Sequence, residues 1–103
     1  MERNARRASA LLRALGNERR LMILCHLAEG ERSVGALQRL VGLGQSALSQ
    51  HLARLRRDHL VRTRREAQTI YYRLGSPEAE AVIAVLHRLY CEPDATGAVA
   101  LTA

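Results

Sequence analysis

A chain of 103 residues, 48% of them hydrophobic, supplies one core and is too short for two. With no Trp, no Phe and only three Tyr, an aromatic-rich core is excluded, which leaves Leu, Ile, Val and Ala to pack helices. Every basic residue is Arg, and the net charge of +6 points towards a polyanionic partner.

From Ala5 to Leu15, the apolar positions Ala8, Leu11, Leu12 and Leu15 recur at helical spacing and stop at Gly16. Asn17 is placed to cap a second helix, with Glu18 in its first turn. That helix carries the run Leu21 to Cys25, apolar around most of its circumference, so it belongs at the centre of the domain and ends at Gly30. Ser33 caps a short helix through Leu37, Leu40 and Val41, Gly42-Leu43-Gly44 turns the chain, and a further helix runs from Gln45 to Asp58. Two short helices joined by a glycine-containing turn are the pattern of a helix-turn-helix.

After His59 the pattern becomes that of strands, Leu60 to Arg65 and Thr69 to Leu74, around a turn at Glu66-Ala67-Gln68. Ser76, Pro77 and Glu78 then open a last helix, with apolar Ala79, Val82, Val85, Leu86 and Leu89, and Pro93 limits its extension beyond Glu92. The expected fold is mainly α with a small β-hairpin, a winged helix-turn-helix in the order α-α-α-α-β-β-α. Residues 1–92 form the domain and 93–103 a frayed tail. No apolar run approaches the roughly 18 residues that span a bilayer. Arg6, Arg7 and Arg13 interrupt any signal-peptide core, so a cytoplasmic location is expected, where a structural disulfide is uncommon.

The functional surface follows from charge and helical geometry. Seven arginines lie between positions 54 and 73 against only Asp58 and Glu66. On a wheel of roughly 100° per residue, Leu48, Leu52 and Leu55 share the core side of the fourth helix, and Ser46, Gln50, Ala53 and Arg57 lie opposite, flanked by Ser49 and Arg54. Small residues let a helix approach the floor of the major groove, and Gln pairs with an adenine edge. Gln45, Ser46, Ser49, Gln50, His51, Arg54 and Arg57 are therefore candidate contacts to double-stranded DNA, joined by Arg64, Arg65 and Gln68 around the hairpin tip. His51 lies partly towards the core, where a structural role is about as natural.

Residues 44–74, GQSALSQHLARLRRDHLVRTRREAQTIYYRL, and 17–37, NERRLMILCHLAEGERSVGAL, resemble the recognition helix, wing and preceding segment of ArsR/SmtB-type winged-helix repressors. Gly44 departs from the Ser cap expected there. The resemblance implies a homodimer assembled through the first and last helices, bound to an imperfect inverted repeat with its recognition helices about one DNA turn, roughly 34 Å, apart. Leu11, Leu12, Leu15, Val82, Val85, Leu86 and Leu89 offer more apolar surface than one small core needs.

The family's usual metal sites are not matched. The segment Ser33 to Leu37 has no thiol, and residues 76–92 contain His87, Glu78, Glu80 and Glu92 at the wrong spacing for a zinc site. Cys25, His87 and Cys91 remain as a residual soft-ligand set. The positions of Cys25 and Cys91 instead resemble the sulfide-responsive branch typified by BigR, SqrR and HlyU. There the resemblance implies a dithiol that reacts with persulfide or oxidant, forms a polysulfide or disulfide bridge within a protomer, releases operator DNA and derepresses sulfide-detoxification genes. Arg19, Arg20 and Arg88 are expected to lower a thiol pKa. No cofactor is required, although Cys and His are also haem ligands in some relatives. A metal-responsive repressor and a winged-helix protein-interaction module are the alternatives. No nucleophile triad, phosphate loop or paired carboxylates point to an enzyme.

Overall fold

The computed structural model describes residues 2–91; Met1, Glu92 and the expected tail of 93–103 lie outside the described residues. Helix α1 spans Glu2–Leu15, beginning three residues before the sequence expectation. Its first two turns are polar and exposed, so they carry no apolar periodicity to read, while Glu2 suits a helix N-terminus. Helix α2, Glu18–Ala28, is capped as expected by Asn17, whose Oδ1 accepts from the Arg20 amide at 3.0 Å. The Arg20 guanidinium then donates to the carbonyls of Ala14 at 2.9 Å and Arg13 at 3.1 Å, which satisfies the end of α1 and sets the corner between the two helices.

Helix α3, Val34–Val41, starts under the Ser33 hydroxyl, which accepts from the Ala36 amide at 3.1 Å. It ends at Gly42, with φ +72 and its N–H donating to Gln38 O, a left-handed cap that costs a side-chain-bearing residue more than glycine. Helix α4, Gln45–Arg57, follows the turn, and Gly44 at its N-cap offers no side-chain hydrogen bond. Helix α5, Pro77–Tyr90, has Pro in its first turn and the Ser76 hydroxyl accepting from the Ala79 amide at 3.1 Å.

Strands β2, Val61–Glu66, and β3, Thr69–Leu74, form the expected hairpin, with one correction at its tip. Glu66 pairs with Thr69, so the loop is only Ala67 and Gln68, and Ala67 adopts a positive φ of 56. Two-residue hairpin loops favour that conformation because it matches strand twist, but they usually employ glycine for it. A third strand, not expected from the sequence, completes the sheet. Strand β1, Arg32–Ser33, pairs antiparallel with Tyr72 and Tyr71, giving the sheet order β1-β3-β2 and the chain order α-α-β-α-α-β-β-α. Two residues are too few for a period-two pattern, and only the partner strand defines them.

Helix α2 packs on α1, α3, α4, α5 and β3, which confirms its central position. Its apolar run is not wholly buried, however: Ile23, Leu24 and Leu27 enter the core while Cys25 is exposed. Ile23, Leu24, Leu37, Leu48 and Leu55 are the largest fully buried side chains, each stabilising by about 1.5–3 kcal/mol through removal from water. Among the described residues no helix is long and apolar enough to cross a membrane.

Candidate nucleic-acid interface and thiol pair

Leu48, Leu52 and Leu55 anchor α4 in the core, and their 3.6-residue spacing fixes which side chains face out. Gln45, Ser46, Ser49, Gln50 and Ala53 line one shallow concave face of the helix, as the wheel anticipates. Because Gly44 lacks a side-chain cap, the first-turn amides are left without a side-chain acceptor, and the positive end of the helix dipole accompanies them. Arg57 is exposed at the other end. This surface can take an acidic backbone at its ends and base edges along its middle.

Two expected contacts have roles within the fold. Arg54 Nε donates to Asp58 Oδ2 at 3.1 Å, so much of its charge is met one turn on. His51 is half-buried near Arg20 and Arg19, and burial first, then those two cations, lower its pKa below the usual imidazole value. It therefore presents a neutral ring at pH 7. A role the sequence did not reveal belongs to Arg19, which donates through Nη1 to Val41 O at 3.1 Å. It ties α2 to the last turn of α3, where the helix-turn-helix bends. No local pattern announces a contact across 22 positions.

In the wing, Arg65 and Gln68 stand exposed near the tip, whereas Arg64 is turned onto Glu31 and the ring of Tyr71. The wing therefore offers Arg65 and Gln68 to a ligand more directly than Arg64.

Both cysteines are free and exposed in the single chain. Cys25 faces out of α2, and Cys91 is the C-cap of α5, its amide donating to His87 O at 2.8 Å. The two helices pack together, and Cys91 is near enough to act on Cys25 electrostatically. The expected lowering of a thiol pKa is not met at Cys25: partial burial raises its pKa, and negative charge at Cys91 and Glu29 raises it further. Two of the three arginines invoked for the opposite effect are engaged elsewhere, Arg19 on Val41 O and Arg20 on the end of α1. Among the described residues no three His, Cys, Asp or Glu side chains gather to hold a metal, so Cys25, His87 and Cys91 do not form the residual ligand set.

The apolar surplus is smaller than the sequence suggests. Leu15 is buried in the protomer's own core, and Leu11 and Val82 pack against it. Leu12, Val85, Leu89 and Tyr90 remain 60%, 42%, 54% and 58% exposed on α1 and α5.

Residues 17–63 match the family profile described as bacterial regulatory protein, arsR family. Over 92 residues, 89% of this chain and 85% of the relative, the chain is 60% identical to the transcriptional activator HlyU of Vibrio cholerae serotype O1. It superposes on the crystal structure of the transcriptional repressor BigR from Xylella fastidiosa with a TM-score of 0.83 at 41% identity, covering 89% of this chain and 94% of that one. The solution structure of the homodimeric winged helix-turn-helix DNA-binding domain Mb0332 from Mycobacterium bovis matches with a TM-score of 0.76 at 32% identity, covering 84% of this chain and 81% of that one.

Proposed function

Since the chain belongs to the arsR family of bacterial regulatory proteins, we propose that it is a homodimeric cytoplasmic repressor whose Cys25–Cys91 pair releases DNA on reaction with persulfide or oxidant. Within the family it falls beside HlyU and BigR, regulators of transcription rather than enzymes. The observation that carries the thiol reading is that α5, closed by Cys91, packs on α2, and that charge at Cys91 acts on Cys25, which is exposed on α2.

The chemistry balances without a metal. One thiolate takes the sulfane sulfur from a low-molecular-weight persulfide, and the parent thiolate leaves. The second cysteine attacks the inner sulfur of the new protein persulfide and expels hydrosulfide, which leaves a disulfide. Each further sulfane sulfur transferred before closure lengthens the bridge by one atom. With peroxide, the first thiolate becomes a sulfenic acid as water or hydroxide leaves, and the second thiol displaces the hydroxyl as water.

Dimerisation through α1 and α5 is supported by the exposed Leu12, Val85, Leu89 and Tyr90 and by the homodimeric Mb0332 domain. A bridge that pulls the end of α5 onto α2 would act on that interface and change the separation of the two α4 helices, which must match one turn of DNA. Gln45, Ser46, Ser49, Gln50, His51, Arg54 and Arg57 with the wing residues Arg64, Arg65 and Gln68 form the proposed surface for an inverted repeat. HlyU is named an activator and BigR a repressor. Repression is favoured here because release of a bound dimer is the simplest output of a closed dithiol.

The test is intact mass and fluorescence anisotropy on DNA from upstream of its own gene, before and after glutathione persulfide. A mass shift joining Cys25 to Cys91 with weakened binding supports the reading. A Cys25→Ser protein that responds like the wild type removes the switch and leaves an uninduced regulator.

A further inference from the structure

Arg64 lies on the third strand-to-strand rung from the tip of the wing, opposite Tyr71. On the far side of Tyr71 that rung is completed by Ser33 of β1. Beyond it, at Arg65–Ile70 and Glu66–Thr69, the ribbon is only two strands wide. Two isolated strands are marginal in water, so the Arg64–Tyr71 rung is where the supported sheet ends and the unsupported tip begins.

The Arg64 side chain closes that edge. Its Nε lies 2.9 Å from both carboxylate oxygens of Glu31, and its Nη2 lies 2.9 Å from Glu31 Oε1. Its Nη1 is 3.6 Å from Glu66 Oε1, and its guanidinium carbon stands 4.4 Å over the Tyr71 ring. Glu31 is outside the hairpin, in the segment between α2 and β1, and its side chain is 28% exposed. A single guanidinium thus joins β2 and β3 to the segment that leads into β1, with both its charge and its planar face already used.

We infer that Glu31 and Arg64 are positioning residues for DNA recognition, forming with Tyr71 a clip at the root of the wing that aims the tip residues Arg65 and Gln68. The inference rests on the DNA-binding reading above and changes one residue's part in it. A guanidinium that meets two carboxylates brings no net charge to a phosphate, so Arg64 acts through the tip. Lys in its place would keep the charge but lose both the bidentate grip and the stacking.

Anisotropy with upstream DNA over a range of salt concentrations tests this on Glu31→Gln, Arg64→Gln and the double variant. The clip requires each single change to weaken binding about threefold to tenfold and the double change to add little more. It also requires the slope of log affinity against log salt to stay at the wild-type value. A phosphate contact by Arg64 gives the opposite pattern. Glu31→Gln then tightens binding by freeing the cation, and Arg64→Gln flattens the slope by about 0.9, the value of one phosphate. That result overturns the proposal. Hydrogen exchange on DNA-free protein gives a second reading: the clip requires faster exchange in residues 65–70 of Glu31→Gln with the helices unchanged, and equal exchange overturns it. Wild-type protein that binds no duplex at low salt defeats the DNA-binding reading, while exchange in the free protein still decides whether the clip holds the tip.

Discussion

Cys25, in the C-terminal half of α2, and Cys91, closing α5, are coupled, charge on Cys91 helping to hold the proton on Cys25. Burial acts in the same direction and is the larger cause, and Glu29 adds to it. The two thiols thus act on one another, and Cys25 is slow to ionise. That combination suits a thiol that should not react with every passing electrophile.

The first expected outcome concerns that proton. Alkylation of Cys25, followed by mass spectrometry against pH, should rise only above the ordinary thiol range, and Cys91→Ser should move the rise to lower pH. Glu29→Gln should move it the same way by less, since Glu29 is the smaller cause. The sign for stability follows: folding retains a proton that the unfolded chain gives up sooner, so the contribution is intact below the unfolded pKa and is lost as pH rises through the folded one.

His51 shows the opposite linkage. Its pKa is lowered by burial, Arg20 and Arg19, so the folded chain binds fewer protons there than the unfolded one. Stability from this site is present above the unfolded imidazole value of about 6.5 and is lost as pH falls through the folded value. Thermal melts from neutral pH downward should decline more gently in His51→Gln than in wild type.

On α4, affinity and sequence choice should separate. Arg57→Gln should flatten the salt dependence of binding by about 0.9 and weaken all duplexes alike. Gln50→Ala should leave that slope intact and relax preference at one base pair by about 1–3 kcal/mol, read by competition with single-base operator variants.

Gly44 offers a gain. It is the N-cap of α4 without a side-chain hydrogen bond, and a Cβ built there meets nothing within 4 Å. Gly44→Ser should stabilise the fold by a few tenths of a kcal/mol, or about 1–3 °C in Tm.

The exposed leucine on α5 supplies the last expectation. Leu89, 54% exposed in the protomer, should be covered in a dimer, so Leu89→Glu should shift sedimentation to the monomer and lose cooperative operator binding.

Much of this protein was legible along the chain. The caps Asn17, Ser33 and Ser76 each bond the amide three residues on, and the outward face of α4 emerged from Leu48, Leu52 and Leu55 alone. These are local properties, set by residues within one helical turn of each other, and spacing records them. What the fold alone decided depends on chain segments that meet only after collapse. Strand β1 exists because Tyr71 and Tyr72 pair with it, and Arg64 is held by a carboxylate 33 positions away. Arg19 and Arg20 spend their guanidinium groups on helix ends, and the thiol that charge counting expected to be acidic is pushed the other way. An arginine's charge is written in the sequence; the partner that neutralises it is chosen by packing.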